Sequence, residues 1–397
     1  MEQLPVKGKL RDEDLPIWEE AGIIVENGII SAMGSFPHLM EKARAEGIPV
    51  EYLELDYVAL PGLIDAHTHI CFAGSRAMDY AARNNGKTYL EIAQEGGGIW
   101  STVRHTREAS RGDLAFLMKK RLDKMLSRGI TTVEVKSGYG LSIQEELKLL
   151  EVIDLVGKWH PSDIIPTCLA AHIVPKDAKG EREYIQQILE ELLPIVKRDQ
   201  LCNRFDIFIE QGAFSPEVAI LYLQALSEAG MNLTVHGDQF STGGSEVAIQ
   251  CGALSVDHLE ASGEKEIEAI SKSNTIAVAL PGATLGLGCP FAPARKLLDA
   301  GAAVAIASDW NPGSAPQGDL LFQAAILGTF EKLSSAEILA GITYRAAAAL
   351  GLSDRGRIQV GQVADIIAFP TSDYREILYL QGQMYPEIVW KKGKLVT

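Results

Sequence analysis

The chain has 397 residues, a length that suits one large domain with a smaller module beside it. Hydrophobic residues make up 47% and charged residues 22%, the balance of an ordinary globular protein. With 37 basic against 52 acidic side chains the formal net charge is −15, which repels a phosphate backbone and argues against nucleic acid as a partner.

The first twenty residues or so are polar and poorly periodic, and partial disorder is expected there. Residues 22–34 carry a hairpin signal, Asn27-Gly28 between two β-branched runs. From about residue 60 short apolar strands alternate with amphipathic helical segments. The strands are expected at 63–67, 131–135, 165–171, 205–209, 232–236, 255–258, 275–279 and 304–308. Helices are expected at 114–128, 144–156, 181–197, 216–229 and 292–300. Eight β/α repeats predict a closed parallel (β/α)8 barrel of the TIM type. An open doubly wound sheet is disfavoured, because no Gly-x-Gly-x-x-Gly follows the first strand. The tail returns to β pattern at 361–369 and 388–396. Both ends are therefore expected to form one small β-sandwich domain: residues 1–59 and 355–397, flanking a barrel over 60–354.

The five cysteines, at 71, 168, 202, 251 and 289, form no CxxC pair and are odd in number. They read as thiols in a reducing compartment. The opening Met1-Glu-Gln-Leu-Pro5 lacks the basic and apolar regions of a secretory leader. No apolar run approaches the roughly 18 residues that a membrane helix needs. A cytoplasmic protein with no membrane partner is the expectation.

A barrel collects its chemistry at the C-terminal ends of its strands. The first strand ends in His67-Thr68-His69, whose i and i+2 side chains point the same way and can face one metal ion. The fifth ends in His236, the sixth in His258 and the eighth in Asp309. Five ligand-type side chains in these places exceed what chance gives. His38, His105 and His160 fall elsewhere and read as structural. Three imidazoles and a carboxylate (His67, His69, His236 and Asp309) suit zinc or iron better than magnesium or calcium, which prefer oxygen shells. Such a site keeps one position for water and lowers its pKa towards about 7, which suits attack on a carbonyl or amidine-type carbon.

Pro61-Gly-Leu-Ile-Asp-Ala-His67-Thr-His69, the strand-end His236 and His258, and Ser308-Asp309 together resemble the amidohydrolase superfamily. Its binuclear members bridge two metals with a carboxylated lysine at the end of the fourth strand. Here that strand ends at Glu210 and Lys136 ends the second, so one metal ion per chain, zinc or iron, is expected. Further motifs narrow the resemblance. Phe72-Ala-Gly-Ser-Arg76, Gly96-Gly-Gly-Ile-Trp-Ser-Thr-Val-Arg104, Lys136-Ser-Gly-Tyr139-Gly-Leu, Ala171-His172-Ile-Val-Pro175, His236-Gly-Asp-Gln239-Phe-Ser, Ser255-Val-Asp-His258-Leu-Glu and Asp309-Trp-Asn311-Pro-Gly313-Ser314 are similar to the imidazolonepropionase family. The resemblance runs from about residue 58 to the C-terminus. It implies opening of the cyclic amide of 4-imidazolone-5-propanoate to N-formimidoyl-L-glutamate, in histidine breakdown, by a homodimer.

That substrate has a carboxylate and a flat polar ring. Arg76, on the first loop, can clamp the carboxylate with two parallel hydrogen bonds. Tyr139 and His172 follow the second and third strands and are expected at the pocket, with Tyr89 a further aromatic contact. Asn311, Gly313 and Ser314 form a turn that offers amides and a hydroxyl. Asp309 is expected to take the water's proton and His258 to stabilise the oxyanion. Gln239 stands where some family members carry Glu; it can hydrogen-bond the ring but cannot serve as acid or base. The triple glycine at 96–98 fits either a lid hinge or a plain linker. Two other readings remain at this point. One is another amidohydrolase or a deaminase acting on a different small cyclic amide or amidine; a deaminase would want a Glu base near His236. The other is a non-enzymatic scaffold, which would be expected to lose the metal ligands.

Overall fold

The computed structural model describes residues 4–396, apart from the side chains of residues 89, 90 and 93. Eight parallel strands run in sequential order around a nearly closed barrel. They are β4 (Leu63–Asp65), β5 (Ile130–Lys136), β6 (Asp163–Ala171), β7 (Arg204–Ile209), β8 (Asn232–Gly237), β9 (Ser255–His258), β10 (Ile276–Ala279) and β11 (Val304–Ile306). Their side chains are almost all buried, as expected for strands with a packed interior on one face and helices on the other. The helices start where short polar side chains can accept their free amides. Ser110, Ser142 and Ser215 cap the helices Arg111–Ser127, Ile143–Gly157 and Pro216–Glu228.

The seam between the first and last strands closes just beyond their ends. Asp309 N donates to His67 O at 3.0 Å, and His69 N donates to Trp310 O at 3.0 Å. Thr68 and Trp310 form a parallel bridge there. The regular first and last strands are shorter than the pattern predicts, because this pairing continues through the irregular segments that carry His67, His69 and Asp309.

A second, antiparallel sheet lies beside the barrel. It joins β3 (Val58–Pro61) to β12 (Ile366–Phe369), β13 (Ile388–Lys391) and β14 (Lys394–Leu395). The expected hairpin is β1 (Ala21–Glu26) and β2 (Ile29–Ser35). Asn27 and Gly28 both take positive φ, 51° and 82°, as a type I′ turn requires. Ile30 N bonds Gln362 O at 2.9 Å, so both ends of the chain meet here.

The polar N-terminal arm is more ordered than its composition suggests. Leu10 is buried against Ala336, Ala340 and Tyr344, and Gly8 N donates to Ala302 O at 2.9 Å. A few apolar anchors and backbone bonds to the barrel do what periodicity does elsewhere. Among the described residues, no helix is long and apolar enough to cross a membrane.

Candidate active site and metal centre

His67, His69 and His236 come together at the C-terminal mouth of the barrel, all buried. Their candidate donor nitrogens lie within 4.8 Å of one another. His67 Nε2 is 3.2 Å from His69 Nε2, which is 3.4 Å from His236 Nε2. Asp309 Oδ1 stands 3.4 Å from His69 Nε2 and 3.6 Å from His67 Nε2.

The outer ring nitrogens explain this crowding. His67 Nδ1 lies 2.6 Å from Asp257 Oδ2, and His236 Nδ1 lies 2.9 Å from Asp206 Oδ2. A carboxylate on Nδ1 fixes the proton there and leaves a lone pair on Nε2. Lone pairs that face one another at these distances repel unless a cation lies between them. Burial also keeps these imidazoles neutral: it lowers His69 to about 3 and His236 to about 4, and takes His67 well below the usual value. Burial raises Asp309 above its ordinary range, a penalty that a bound cation would remove. Three nitrogens and one carboxylate oxygen therefore fit a zinc- or iron-type ion.

Beneath the cluster is a charge network that strand pattern alone did not reveal. The Lys136 ammonium is fully buried, 2.7 Å from Glu134 and 2.8 Å from Asp206, with Asp257 at 3.8 Å. Lys136 thus balances the two carboxylates that orient His67 and His236. The available signal was a carboxylate inside an apolar strand, Phe205-Asp206-Ile207 and Val256-Asp257, which burial tolerates only with a partner.

The turn after Asp309 is built around it. Asn311 Nδ2 donates to Asp309 Oδ2 at 2.9 Å and to Asp309 O at 2.8 Å. Asn311 Oδ1 in turn accepts from the amides of Gly313 and Ser314, at 2.7 and 2.8 Å. Asp65 holds the strand end in place by accepting from Ser308 N at 2.9 Å. The glycine-rich segment after β10 is the helix Pro281–Leu287, whose backbone presses on this turn. A side chain at Gly282 would meet Ser308 O, and one at Gly286 would meet Ser314 O.

The remaining candidates surround this core. His258 lies with its ring centre 5.4 Å from that of His236 and 5.9 Å from that of His67. Burial alone would lower its pKa, but Glu260, 3.4 Å away, together with Asp309 and Asp257 raises it. His172 stacks on His69 at 5.5 Å and bonds Gly138 O through Nδ1 at 2.9 Å. Tyr139 is buried, 5.9 Å from His69 and 5.5 Å from His172 between ring centres. Arg76 packs its guanidinium against Gly313. Gln239 is half-buried on the loop after β8, and among the described contacts its side chain joins no hydrogen bond of the cluster. Glu210 fixes that loop by accepting from the amides of Phe240 and Ser241, at 2.9 and 3.0 Å. Tyr89 opens the helix Tyr89–Gln94, but its side chain lies outside the described ones. His105 bonds Ser101 O, His160 accepts from Ser162 N and His38 is exposed, all away from the cluster.

Residues 58–396 match the amidohydrolase family. The chain is 42% identical to an imidazolonepropionase of Deinococcus deserti, with 95% of this chain and 92% of that one covered. It is 37% identical to one of Bdellovibrio bacteriovorus (98% and 91% covered) and 39% identical to one of Bacillus cytotoxicus (98% and 92%). Among solved structures, an adenosine deaminase from Xanthomonas campestris with bound zinc superposes with a TM-score of 0.71 at 20% identity, covering 99% of this chain and 90% of that one. A 5-methylcytosine deaminase from Klebsiella pneumoniae gives 0.72 at 14% identity, covering 98% and 97%. At those identities the two structures share the fold. The chain belongs to the amidohydrolase family and, within it, to the imidazolonepropionases.

Proposed function

We propose that this chain hydrolyses the cyclic amide C–N bond of 4-imidazolone-5-propanoate to give N-formimidoyl-L-glutamate, a step of histidine breakdown. The full-length identity to imidazolonepropionases supports this substrate. The observation that carries the reading is that one turn touches both Asp309, beside the imidazole cluster, and Arg76. Asn311 ties the turn to Asp309 at the imidazole cluster, and Gly313 brings the same turn against Arg76. A short molecule with a hydrolysable ring and a carboxylate tail would reach from one to the other.

His67, His69, His236 and Asp309 would hold one ion, zinc or iron, since both accept nitrogen and carboxylate donors. When bound, such an ion would supply Lewis acidity, which would make water acidic enough to lose a proton near neutral pH. The chain's own residues do the rest. Asp309, steadied by Asn311, accepts the water's proton. His258, with Glu260 behind it, offers a hydrogen bond to the carbonyl oxygen as negative charge develops there. Arg76 holds the carboxylate, and Tyr139 and His172 flank the ring. Gln239 and the Asn311–Gly313–Ser314 turn supply hydrogen bonds. Five free cysteines accord with a cytoplasmic enzyme, and the resemblance to the family supports a homodimer.

Product analysis tests the reaction type. Hydrolysis of the ring amide gives N-formimidoyl-L-glutamate without ammonia. Stoichiometric ammonia release would instead indicate deamination of another ring.

A further inference from the structure

The helix Ala77–Asn84 follows the segment that carries His67 and His69 and is framed by two guanidiniums, Arg76 at its N-cap and Arg83 in its last turn. Both reach the same glycine. Arg76 packs against Gly313, and Arg83 Nη2 lies 3.3 Å from Gly313 O. Between them stands Asp79, buried to 8% exposure. One of its oxygens, Oδ2, accepts from Arg76 Nε at 2.8 Å and from Gly98 N at 2.8 Å.

This geometry has two consequences. A carboxylate on Nε takes the inner edge of the guanidinium and leaves the terminal Nη groups to meet an anion side by side. Two guanidiniums with one carboxylate also leave a positive charge unbalanced, which a carboxylate ligand would satisfy. Burial, and then the neighbouring Arg76, lower the pKa of Arg83, in keeping with that surplus.

The same oxygen reaches the triple glycine. Gly98 takes φ 72° and ψ −165°, a conformation open to glycine, and opens the helix Ile99–Glu108. A side chain at Gly97 would run into Asp79 Oδ1 and Ile92. The glycine segment is therefore closely wrapped on Asp79.

We infer that Asp79 is a positioning residue: it aims Arg76 at the carboxylate of the substrate and ties that aim to the backbone at Gly98. The inference deepens the reaction proposed above and rests on it for the identity of the carboxylate. Asp79 acts through Arg76 and does not touch the reacting atoms.

The test is a double-mutant cycle on metal-loaded enzyme with Arg76→Ala, Asp79→Ala and the double variant. Losing a hydrogen bond to a charged group makes Asp79→Ala raise KM about 30-fold, with kcat within about threefold. The double variant should be no worse than Arg76→Ala alone, within about twofold, because the two residues act as one unit. Asp79→Asn keeps an oxygen acceptor and should recover part of the loss. Additive effects, or a fall in kcat at unchanged KM, would overturn the inference. Calorimetric titration with 3-(imidazol-4-yl)propanoate and its neutral amide provides a readout without turnover. Wild type should prefer the acid by about tenfold, the scale of one charge-assisted contact, and Asp79→Ala should lose that preference. Equal preference in the two proteins would also overturn it. A wild type that prefers the acid but leaves 4-imidazolone-5-propanoate intact would contradict the proposed reaction and leave the role of Asp79 standing.

Discussion

The backbone amide of Asp309 donates to the carbonyl of His67 at 3.0 Å. Through this bond the first and last strands of the barrel close on each other at the level of the metal site. Asp309 also holds a positive φ of 52°, which turns its side chain back towards the imidazoles. Barrel closure and the placement of Asp309 beside the imidazoles are thus the same feature, and the side chain can be altered without cutting the seam.

The carboxylates behind the imidazoles should control metal affinity. Asp257→Asn leaves His67 in place but loses the charge on its Nδ1 partner. We expect metal affinity to fall roughly 10- to 100-fold, as for other carboxylate–histidine supports. Competition with a chromogenic chelator measures it. Unchanged affinity would mean that Asp257 serves only the charge network.

Lys136 should matter for stability before it matters for chemistry. Lys136→Met strips the cation from Glu134, Asp206 and Asp257, which are all fully buried. Removing one partner of a buried ion cluster costs about 3–5 kcal/mol. Urea unfolding should show a loss of that order. A change below about 1 kcal/mol would indicate that water or protons replace the ammonium easily.

Gly286→Ala weighs two opposed effects. Alanine in place of glycine within a helix gains about 0.5–1 kcal/mol. Its methyl group would, however, be driven into Ser314 O, on the turn that holds Asp309. The clash should win at the site, with kcat/KM falling about 10- to 100-fold from a shift of the turn while the fold persists. Full activity with a higher Tm would show that the helix yields instead.

The junction of the barrel with the second sheet should be acid-sensitive. Asp163, at the start of β6, meets Arg355 at 2.5 Å, Lys391 at 2.8 Å and Lys392 at 2.9 Å. Burial alone would raise its pKa, but Lys391 and the other cations take it well below the ordinary carboxylate range. Its stabilisation is therefore full above the unfolded pKa, about 4, and is lost as pH falls below that towards the folded value. Asp163→Asn should cost roughly 2 kcal/mol at pH 7 and distinctly less at pH 3. The same cost at both pH values would exclude this ion cluster as the cause.

Much of this site is legible in the sequence, because its chemistry sits at strand ends. His67-Thr-His69 marks one ligand pair through the period of a strand, and His236, His258 and Asp309 each close an apolar run. The turn Asn27-Gly28 announces its hairpin in the same local way. What escapes a linear reading is partnership across space. Asp206 and Asp257 look like isolated charges until adjacent strands place them behind His236 and His67. Asp79 lies in a short, mostly exposed helix, and only folding brings it to Arg76 and Gly98 together. The N-terminal arm lacks periodicity because a few contacts, such as Leu10 against Tyr344, hold it.

The most direct test is a spectrophotometric assay of metal-analysed wild type and Asp309→Ala with freshly made 4-imidazolone-5-propanoate. The wild type should consume the substrate with about one metal ion per chain, and the variant should be folded but slower by about 10³-fold or more, the scale of losing a proton acceptor and an ion's support together. Metal-loaded wild type that leaves the substrate unchanged would contradict the proposed reaction, and an Asp309→Ala variant as fast as wild type would contradict the role assigned to Asp309.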